Sequence, residues 1–170
     1  MSGELSDAAS RDFEATFGPW IEPGYRLAVA MLRDREEAQD AVQESALKAW
    51  RSIGSLRDSN RARAWFLSIV ANQCRSTMRR RWWGILPLAT RDTVQLGPEE
   101  SSVQSQDLRN AMKRLRPDDR ALLYLHYFLD LPMEEVASVL GISTGAAKTR
   151  VYRAAHLLRP ELELTEEDLR

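Results

Sequence analysis

The sequence predicts an all-α protein in which a short linker joins two small helical domains. Nearly every apolar pattern has the period of a helix, and none alternates like a half-buried strand. One internal stretch rich in proline, glycine, serine and glutamine interrupts these patterns. With 170 residues and 44% hydrophobic content, the chain can form compact cores, and disorder throughout is not expected.

The first half of the chain predicts three helices, of which the first is broken. Residues 11–32 have a helical pattern, but Pro19 and Pro23 each lack a backbone donor, so we expect interruptions at both. Residues 54–61 ("GSLRDSNR") have the composition of a loop. Residues 64–81 predict the third helix, with apolar side chains along its length.

The second helix has a recognisable start. Asp34 is predicted to cap it, and Glu37, three residues later, fits the partner position of a capping box. Residues 35–53 then carry one stripe of small and apolar side chains, namely Ala38, Ala41, Val42, Ser45, Ala46, Ala49 and Ile53. This stripe indicates the face of the helix that packs inward.

The linker is predicted at residues 84–104, which hold two prolines and two glycines. Four shorter helical stretches follow it, at residues 107–115, 117–129, 133–140 and 144–159. The predicted organisation is therefore a first domain at residues 1–83, the linker at 84–104 and a second domain at 105–170.

The last two helical stretches have the layout of a helix-turn-helix. Gly141 ends one helix and Ser143 caps the next, so the turn is only "GIS". On the final helix, the residues expected to pack inward are Ala147, Val151, Ala154, Ala155 and Leu158. The opposite set, Lys148, Thr149, Tyr152 and Arg153, can hydrogen-bond base edges or phosphates in a major groove. A helix-turn-helix that binds DNA is favoured over a merely solvated helix face.

The charge of the chain is strongly segregated, although its formal net value is only −1. Residues 1–45 hold 10 acidic and 4 basic residues, whereas residues 46–83 hold 9 basic residues and one acidic residue. The segment "NQCRSTMRRRWW" at residues 72–83 combines arginines with two tryptophans, and a second basic block spans residues 143–159. Two positive surfaces on an otherwise acidic chain predict a polyanionic ligand and a second, basic partner.

Catalysis is not expected from the reactive side chains. These are Cys74, His126 and His156, and no phosphate-binding loop, serine elbow or metal-ligand spacing accompanies them. We therefore expect no enzyme activity, no metal and no cofactor. The N-terminus does not resemble a secretory signal, and no apolar run approaches the length of a membrane span. A reducing, cytoplasmic setting without membrane insertion is the expectation.

Three segments together resemble a known family. "DREEAQDAVQESALKAW", "RAWFLSIVANQCRSTMRRR" and "LPMEEVASVLGISTGAAKTRVYRA" are similar to the two domains of an extracytoplasmic-function (ECF) sigma factor of the sigma-70 family. The resemblance covers about residues 25–159 and follows the order of the family's motifs. It implies a protein that binds core RNA polymerase and directs promoter-specific transcription initiation. Its partners would be the β′ clamp helices, the β flap, promoter DNA and an anti-sigma factor.

The resemblance assigns roles to three groups of residues. The "D-x-x-Q-E" pattern on the second helix implies polymerase contacts, for which the candidates are Asp40, Gln43, Glu44, Leu47 and Trp50. The loop before the third helix and that helix imply contacts to the −10 element, for which the candidates are Leu56, Asp58, Ser59, Asn60, Arg61, Arg63, Asn72, Arg75, Arg79 and Arg80. The final helix implies contacts to the −35 element, for which the candidates are Thr144, Lys148, Thr149, Tyr152 and Arg153.

Three aromatic residues near these groups have different expected roles. Trp65 lies in "RAWF", where the resemblance implies a buried tryptophan. Trp82 and Trp83 lie just past the third helix and could equally stack on DNA or pack under the linker.

Two other functions and two domain arrangements remain open from the sequence. The chain could be a sigma-like decoy that binds an anti-sigma factor, or a stand-alone helix-turn-helix regulator. The basic surfaces of both domains argue against the decoy, which would not need them. In the free protein, we expect the two domains either to move independently or to pack face to face and hide the DNA surfaces.

Overall fold

The computed structural model describes residues 2–56, 58–84 and 110–162, with side chains over 13–54, 56, 58, 60–84 and 110–158. Its helices are α1 (Ser2–Leu32), α2 (Arg35–Ser52), α3 (Ala62–Trp82), α4 (Pro117–Leu123), α5 (Met133–Leu140) and α6 (Thr144–Leu162). Residues 110–114 are also helical, and none of the described residues lies in a strand. The all-α prediction is confirmed. Most of the predicted linker, residues 85–104, and the start of the helix predicted from residue 107 lie outside the described residues.

Helix α1 is continuous through both of its prolines, so the predicted interruption is wrong. A proline inside a helix removes one hydrogen bond and costs about 3 kcal/mol. Here the residues on either side of the prolines are fixed by packing, since Phe17 and Leu27 are both fully buried. Tertiary packing of an apolar helix face therefore outweighs the local preference.

The start of α2 is as predicted, except for one half of the capping box. The Asp34 side chain accepts a hydrogen bond from the backbone N–H of Glu37 at 2.9 Å. The Glu37 carboxylate, however, forms an ion pair with Arg81 at the end of α3. Since an ion pair with an arginine is a stronger interaction than a second cap bond, Glu37 joins α2 to α3 instead.

The first domain is the three-helix unit of α1, α2 and α3, in which each helix contacts both others. The predicted stripe on α2 is buried at Ala38, Ala41, Val42, Ser45 and Ala49. Gly24 lets α1 approach α3 closely, because a Cβ placed there would lie 3.0 Å from the Phe66 ring and 3.3 Å from a Val70 methyl carbon. Two short 3₁₀ turns, Ile53–Ser55 and Ser59–Arg61, occupy the region predicted as a loop.

The second domain contains α4, α5 and α6, and its last two helices form the predicted helix-turn-helix. Gly141 adopts the left-handed conformation (φ 67°) that ends α5, and the Ser143 hydroxyl accepts from the N–H of Ala146 at 3.1 Å at the start of α6. The helix predicted at residues 117–129 is present, but its end, Tyr124–Phe128, is a π-helical turn. All five residues predicted to face inward on α6 are buried.

The two domains pack face to face. Helix α1 packs on α4 and α3 packs on α5, and buried side chains of both domains belong to one apolar cluster. Arg120 is 5% exposed and donates hydrogen bonds to the carbonyls of Ala30 and Met31 in the last turn of α1. A cationic donor is favourable there, because the last carbonyls of a helix lack helical partners and carry partial negative charge.

Candidate polymerase and nucleic-acid interfaces

The residues predicted to contact polymerase share an exposed face of α2. Asp40, Gln43 and Glu44 are exposed, and beside them Leu47 and Trp50 remain 50% and 39% exposed. The Trp50 ring is held in place by Phe13 of α1, at a centroid distance of 5.6 Å. An acidic patch bordered by apolar side chains suits a partner that offers basic groups around an apolar contact.

The loop before α3 borders a cavity of about 390 Å³. Its lining includes three of the predicted residues, Leu56, Asp58 and Arg61, together with Ala64, Trp65, Ser68 and Ser138. The Asp58 carboxylate accepts a hydrogen bond from the backbone N–H of Asn60 at 2.9 Å, which fixes the turn. The volume of the cavity is within the size range of small-ligand pockets. Nothing is described for the Ser59 side chain.

Two of the cavity residues could have been predicted from the sequence and one could not. Trp65 and Ser68 follow Arg61 at helical spacing, so they face the same way as that residue. Trp65 is only partly buried, so it is both a core residue, as predicted, and part of the cavity wall. Ser138 comes from α5 of the second domain, and no pattern in the sequence places it there.

Two predicted DNA-contacting arginines of α3 are bound by the second domain. Arg63 donates to both carboxylate oxygens of Glu135, with the Nε–Oε1 pair at 2.7 Å, and the same hydrogen bonding raises the pKa of Arg63. The Arg63 guanidinium also lies over the ring of Trp20, 5.5 Å from its centroid. Arg75 donates from Nε to Asp118 at 3.1 Å and from its Nη2 to the carbonyl of Leu140 at 3.0 Å.

The end of α3 is basic, aromatic and exposed. Arg79 and Arg80 are exposed, as are Trp82 at 89% and Trp83 at 76%. Asn72, one of the predicted contacts further back on α3, is exposed too, and its side-chain oxygen accepts from Arg75 at 3.1 Å. Adjacent cations and aromatic rings are the combination that binds single-stranded nucleic acid.

The outward face of α6 is available to a ligand. Lys148, Thr149, Tyr152 and Arg153 are all exposed, and Thr144 is half-buried at the start of the helix. The Thr149 hydroxyl donates to the carbonyl of Gly145 at 3.0 Å, and the Tyr152 ring stacks on His156 with centroids 6.2 Å apart. The structure therefore brings the predicted −35 set together on one surface.

Not every arginine of the second basic block, residues 143–159, is available to a ligand. Arg150, which lies within it, is bound by Asp119 of α4 at 2.7 Å. Between these helices is a cavity of about 250 Å³ whose lining includes Arg114, Arg116 and Arg153. The sequence analysis did not single out Arg114 and Arg116, because they lie 30 and 28 positions before the start of α6. Only the packing of α4 on α6 brings them beside that helix.

The reactive side chain that the sequence analysis named in the first domain, Cys74, is shielded from solvent. Cys74 is fully buried, and this burial raises the pKa of its thiol to about 12, so the nucleophilic thiolate is absent at neutral pH. Across the described ranges, no group of three or more histidine, cysteine or acidic side chains is placed to hold a metal ion. None of the described helices is long and apolar enough to cross a membrane.

Comparison with known proteins decides the family. Residues 16–84 match the family described as "Sigma-70 region 2", and residues 105–156 match the family described as "Sigma-70, region 4". RNA polymerase sigma factor SigV of Bacillus subtilis is 32% identical over 146 residues, which cover 85% of this chain and 86% of SigV. The chain belongs to the sigma-70 family.

Within that family, the protein is an ECF sigma factor. It is 26% identical to the ECF RNA polymerase sigma factor SigX of Bacillus subtilis, over 92% of this chain and 87% of SigX. Its fold matches that of the sigma factor RpoE of Bartonella quintana, solved in complex with the anti-sigma factor NepR. The TM-score is 0.78, with 24% identity, over 92% of this chain and 99% of RpoE.

Sigma factors are transcription initiation factors, and the two family matches follow the helices of the structure. The region 2 match takes in α2, α3 and the part of α1 from residue 16, and therefore contains the acidic face and the −10 candidates. The region 4 match takes in α4, α5 and most of α6, and therefore contains the helix-turn-helix.

Proposed function

We propose that this sigma factor uses three separate surfaces, one for polymerase and two for promoter DNA. The exposed face of α2, with Asp40, Glu44 and Trp50, would bind the β′ clamp helices of core RNA polymerase. The loop before α3 and the basic face of α3 would hold the opened −10 element. The outward face of α6 would bind the −35 element, with the second domain also contacting the β flap.

The observation that carries this proposal is the separation of charge in three dimensions. An acidic face with apolar borders lies on α2, whereas the exposed faces of α3 and α6 carry arginines or lysine next to aromatic rings. The acidic face would repel DNA, and the basic faces would attract it. One chain with both kinds of surface can hold polymerase and promoter at the same time.

The two DNA surfaces would do different things. Cations that bind phosphates position the protein without reading sequence, whereas groups that reach base edges or enclose a base select sequence. Arg75, Arg79 and Arg80 would have the first role along the −10 strand. The cavity beside Asp58 and the face around Lys148 would have the second role, at the −10 and −35 elements respectively.

The proposed domain limits are residues 1–83 and 105–170, with the linker at 84–104. The role is one of binding and not of catalysis, which is consistent with the buried, protonated thiol of Cys74. We place this role in the cytoplasm, where core polymerase and the chromosome are found. An anti-sigma factor is a further proposed partner, since RpoE of Bartonella quintana was solved with one bound.

Run-off transcription with core polymerase and a library of promoter fragments tests the proposal. The protein should direct transcripts from a subset of promoters that share −10 and −35 sequences, and core polymerase alone should not. A decoy would yield no transcripts at all. A stand-alone regulator would instead bind specific duplexes tightly without polymerase, and either result would refute the proposed function.

A further inference from the structure

The cavity between α4 and α6 has a positively charged lining. Four arginines and one aspartate border it, so the lining carries a formal charge of +3. Its other residues are apolar, and the whole set is Arg114, Leu115, Arg116, Asp119, Arg150, Arg153, Ala154 and Leu157. An anion that enters this small volume is attracted by every arginine at once.

Asp119 already binds two of the four arginines. Its carboxylate, which is 14% exposed, accepts from Arg150 at 2.7 Å and from Arg116 at 3.0 Å. These ion pairs fix both guanidinium groups beside the cavity, so less conformational freedom is lost when a ligand binds there. Arg114 and Arg153 are exposed, and neither has a hydrogen-bond or ion-pair partner among the residues that the structure describes. Both are therefore available to an anion.

The cavity also has an apolar edge. Leu157 lines it but is 62% exposed, whereas Leu115 and Ala154 are buried. An exposed leucine beside cations suits a ligand in which an anionic group is joined to a flat or apolar body. The volume of about 250 Å³ lies just below the range of pockets for drug-sized molecules, so the cavity would enclose only the anionic part of such a ligand.

Phosphate is the anion that this lining favours. A planar guanidinium binds phosphate through paired hydrogen bonds, and this geometry makes arginine a preferred residue in phosphate sites. A single phosphate ester carries about −1.5 to −2 charges at neutral pH, so two linked phosphates match a lining of +3 more closely than one does.

We propose that the cavity between α4 and α6 binds a small phosphate ester of the chemical class of a nucleoside diphosphate. Arg114 and Arg153 donate to its phosphate oxygens, and Leu157 contacts the base. Arg116 and Arg150 contribute positive charge from fixed positions.

Arg153 belongs both to this cavity and to the surface proposed for the −35 element. It remains exposed although the two domains pack face to face, so the expectation that such packing hides the DNA surfaces is wrong for α6. An arginine that binds the phosphate ester cannot bind a DNA phosphate at the same time. Bound ligand should therefore weaken binding of −35 duplex, and the duplex should weaken binding of the ligand by the same factor. This competition rests on the proposed function of α6, whereas the site itself does not.

The test titrates full-length protein with ADP and, separately, with inorganic pyrophosphate in a calorimeter, without polymerase or DNA. In about 0.15 M salt, attraction between charges more than about 8 Å apart is largely screened, so the heat reports close contacts. ADP should bind at one saturable site. Arg114→Ala should weaken ADP binding by about tenfold or more, the factor expected for a lost hydrogen bond between charged groups.

Two further variants make the result specific. The matched control is Lys113→Ala, which removes the same charge from the neighbouring exposed position outside the cavity lining and should change affinity by less than about twofold. Leu157→Ser should weaken binding of ADP but not of pyrophosphate, because only ADP has a base to contact the leucine. Equal helix content by circular dichroism shows that each variant is folded.

The outcomes separate the site from its proposed effect on DNA. Absence of saturable binding by both probes, or equal losses in Arg114→Ala and Lys113→Ala, overturns the site. The same holds if −35 duplex requires Arg114 while neither probe binds, since the arginines would then contact the DNA backbone instead. Saturating ADP should weaken binding of a labelled −35 duplex by roughly tenfold in the parent chain, and unchanged duplex binding overturns the competition. A failure of run-off transcription refutes the proposed function but leaves the titrations with ADP and pyrophosphate unaffected.

Discussion

Replacement of Gly24 by alanine tests whether α1 and α3 meet as closely as the structure shows. In a helix interior, alanine is favoured over glycine by about 1 kcal/mol. Yet the new Cβ would lie 3.0 Å from a ring carbon of Phe66 and 3.3 Å from a methyl carbon of Val70. Both of these side chains are fully buried, and the Phe66 ring also packs on Phe17, with centroids 5.7 Å apart.

The crowding should outweigh the gain in helix propensity. Extra methyl groups in a well-packed core cost about 1–3 kcal/mol, because neighbouring side chains are forced from their preferred positions. After subtraction of about 1 kcal/mol for helix propensity, Gly24→Ala should lower the free energy of unfolding by up to about 2 kcal/mol. The control is Gly54→Ala in the same domain, where a Cβ would meet no atom within 4 Å. That change should stabilise the protein by about 0.4–1 kcal/mol, because it restricts the unfolded chain.

Urea unfolding followed by far-ultraviolet circular dichroism measures both variants. The midpoints should move in opposite directions while the slopes stay equal, which would show that only stability has changed. If Gly24→Ala stabilised the protein as much as Gly54→Ala, the close contact between α1 and α3 would be refuted.

The remaining predictions concern the proposed surfaces and the buried thiol. Charge reversal at Asp40 and Glu44 should weaken binding to core polymerase in a pull-down while changing the free energy of unfolding by less than about 0.5 kcal/mol. Unchanged binding would show that this face is not part of the interface. Replacing Arg79 or Arg80 by alanine should lower the slope of the logarithm of promoter affinity against the logarithm of salt concentration by about one for each replacement, with every promoter sequence tested. A change in sequence preference would contradict a phosphate contact. Cys74 should resist thiol reagents in the folded chain from pH 7 to 10 and react with them on unfolding. The folded thiol keeps its proton up to a pH of about 12, whereas the unfolded thiol loses it at the ordinary thiol pKa. The free energy of unfolding should therefore fall as the pH rises past the ordinary thiol pKa. Rapid labelling of the folded protein at pH 8 would contradict this burial.

The sequence determined the local elements whose signals lie within a few residues. Gly141 and Ser143 set the turn of the helix-turn-helix, since one supplies the left-handed end and the other caps the next helix. The periodic stripes on α2 and α6 identified their buried faces, because only one face of a packed helix escapes water. The motifs of the two domains also carried the resemblance to the family that the comparisons then established.

The sequence was less informative where packing overrode a local preference. Pro19 and Pro23 predicted a break that the burial of Phe17 and Leu27 prevents. Glu37 fitted a capping box, but the approach of α3 gave it Arg81 as a partner. In both cases the deciding group lies on another part of the fold.

Only the tertiary structure decided which surfaces the free chain leaves open. Arg63 and Arg75 have the same spacing and charge pattern in the sequence as arginines that face solvent, and nothing near them indicates Glu135 or Asp118 as partners. Those pairs join residues more than 40 positions apart, so they depend on how the second domain docks and not on local preference. Charge, periodicity and caps are properties of neighbouring residues, whereas the occupation of a binding surface depends on the free energy of packing two separately formed domains against each other.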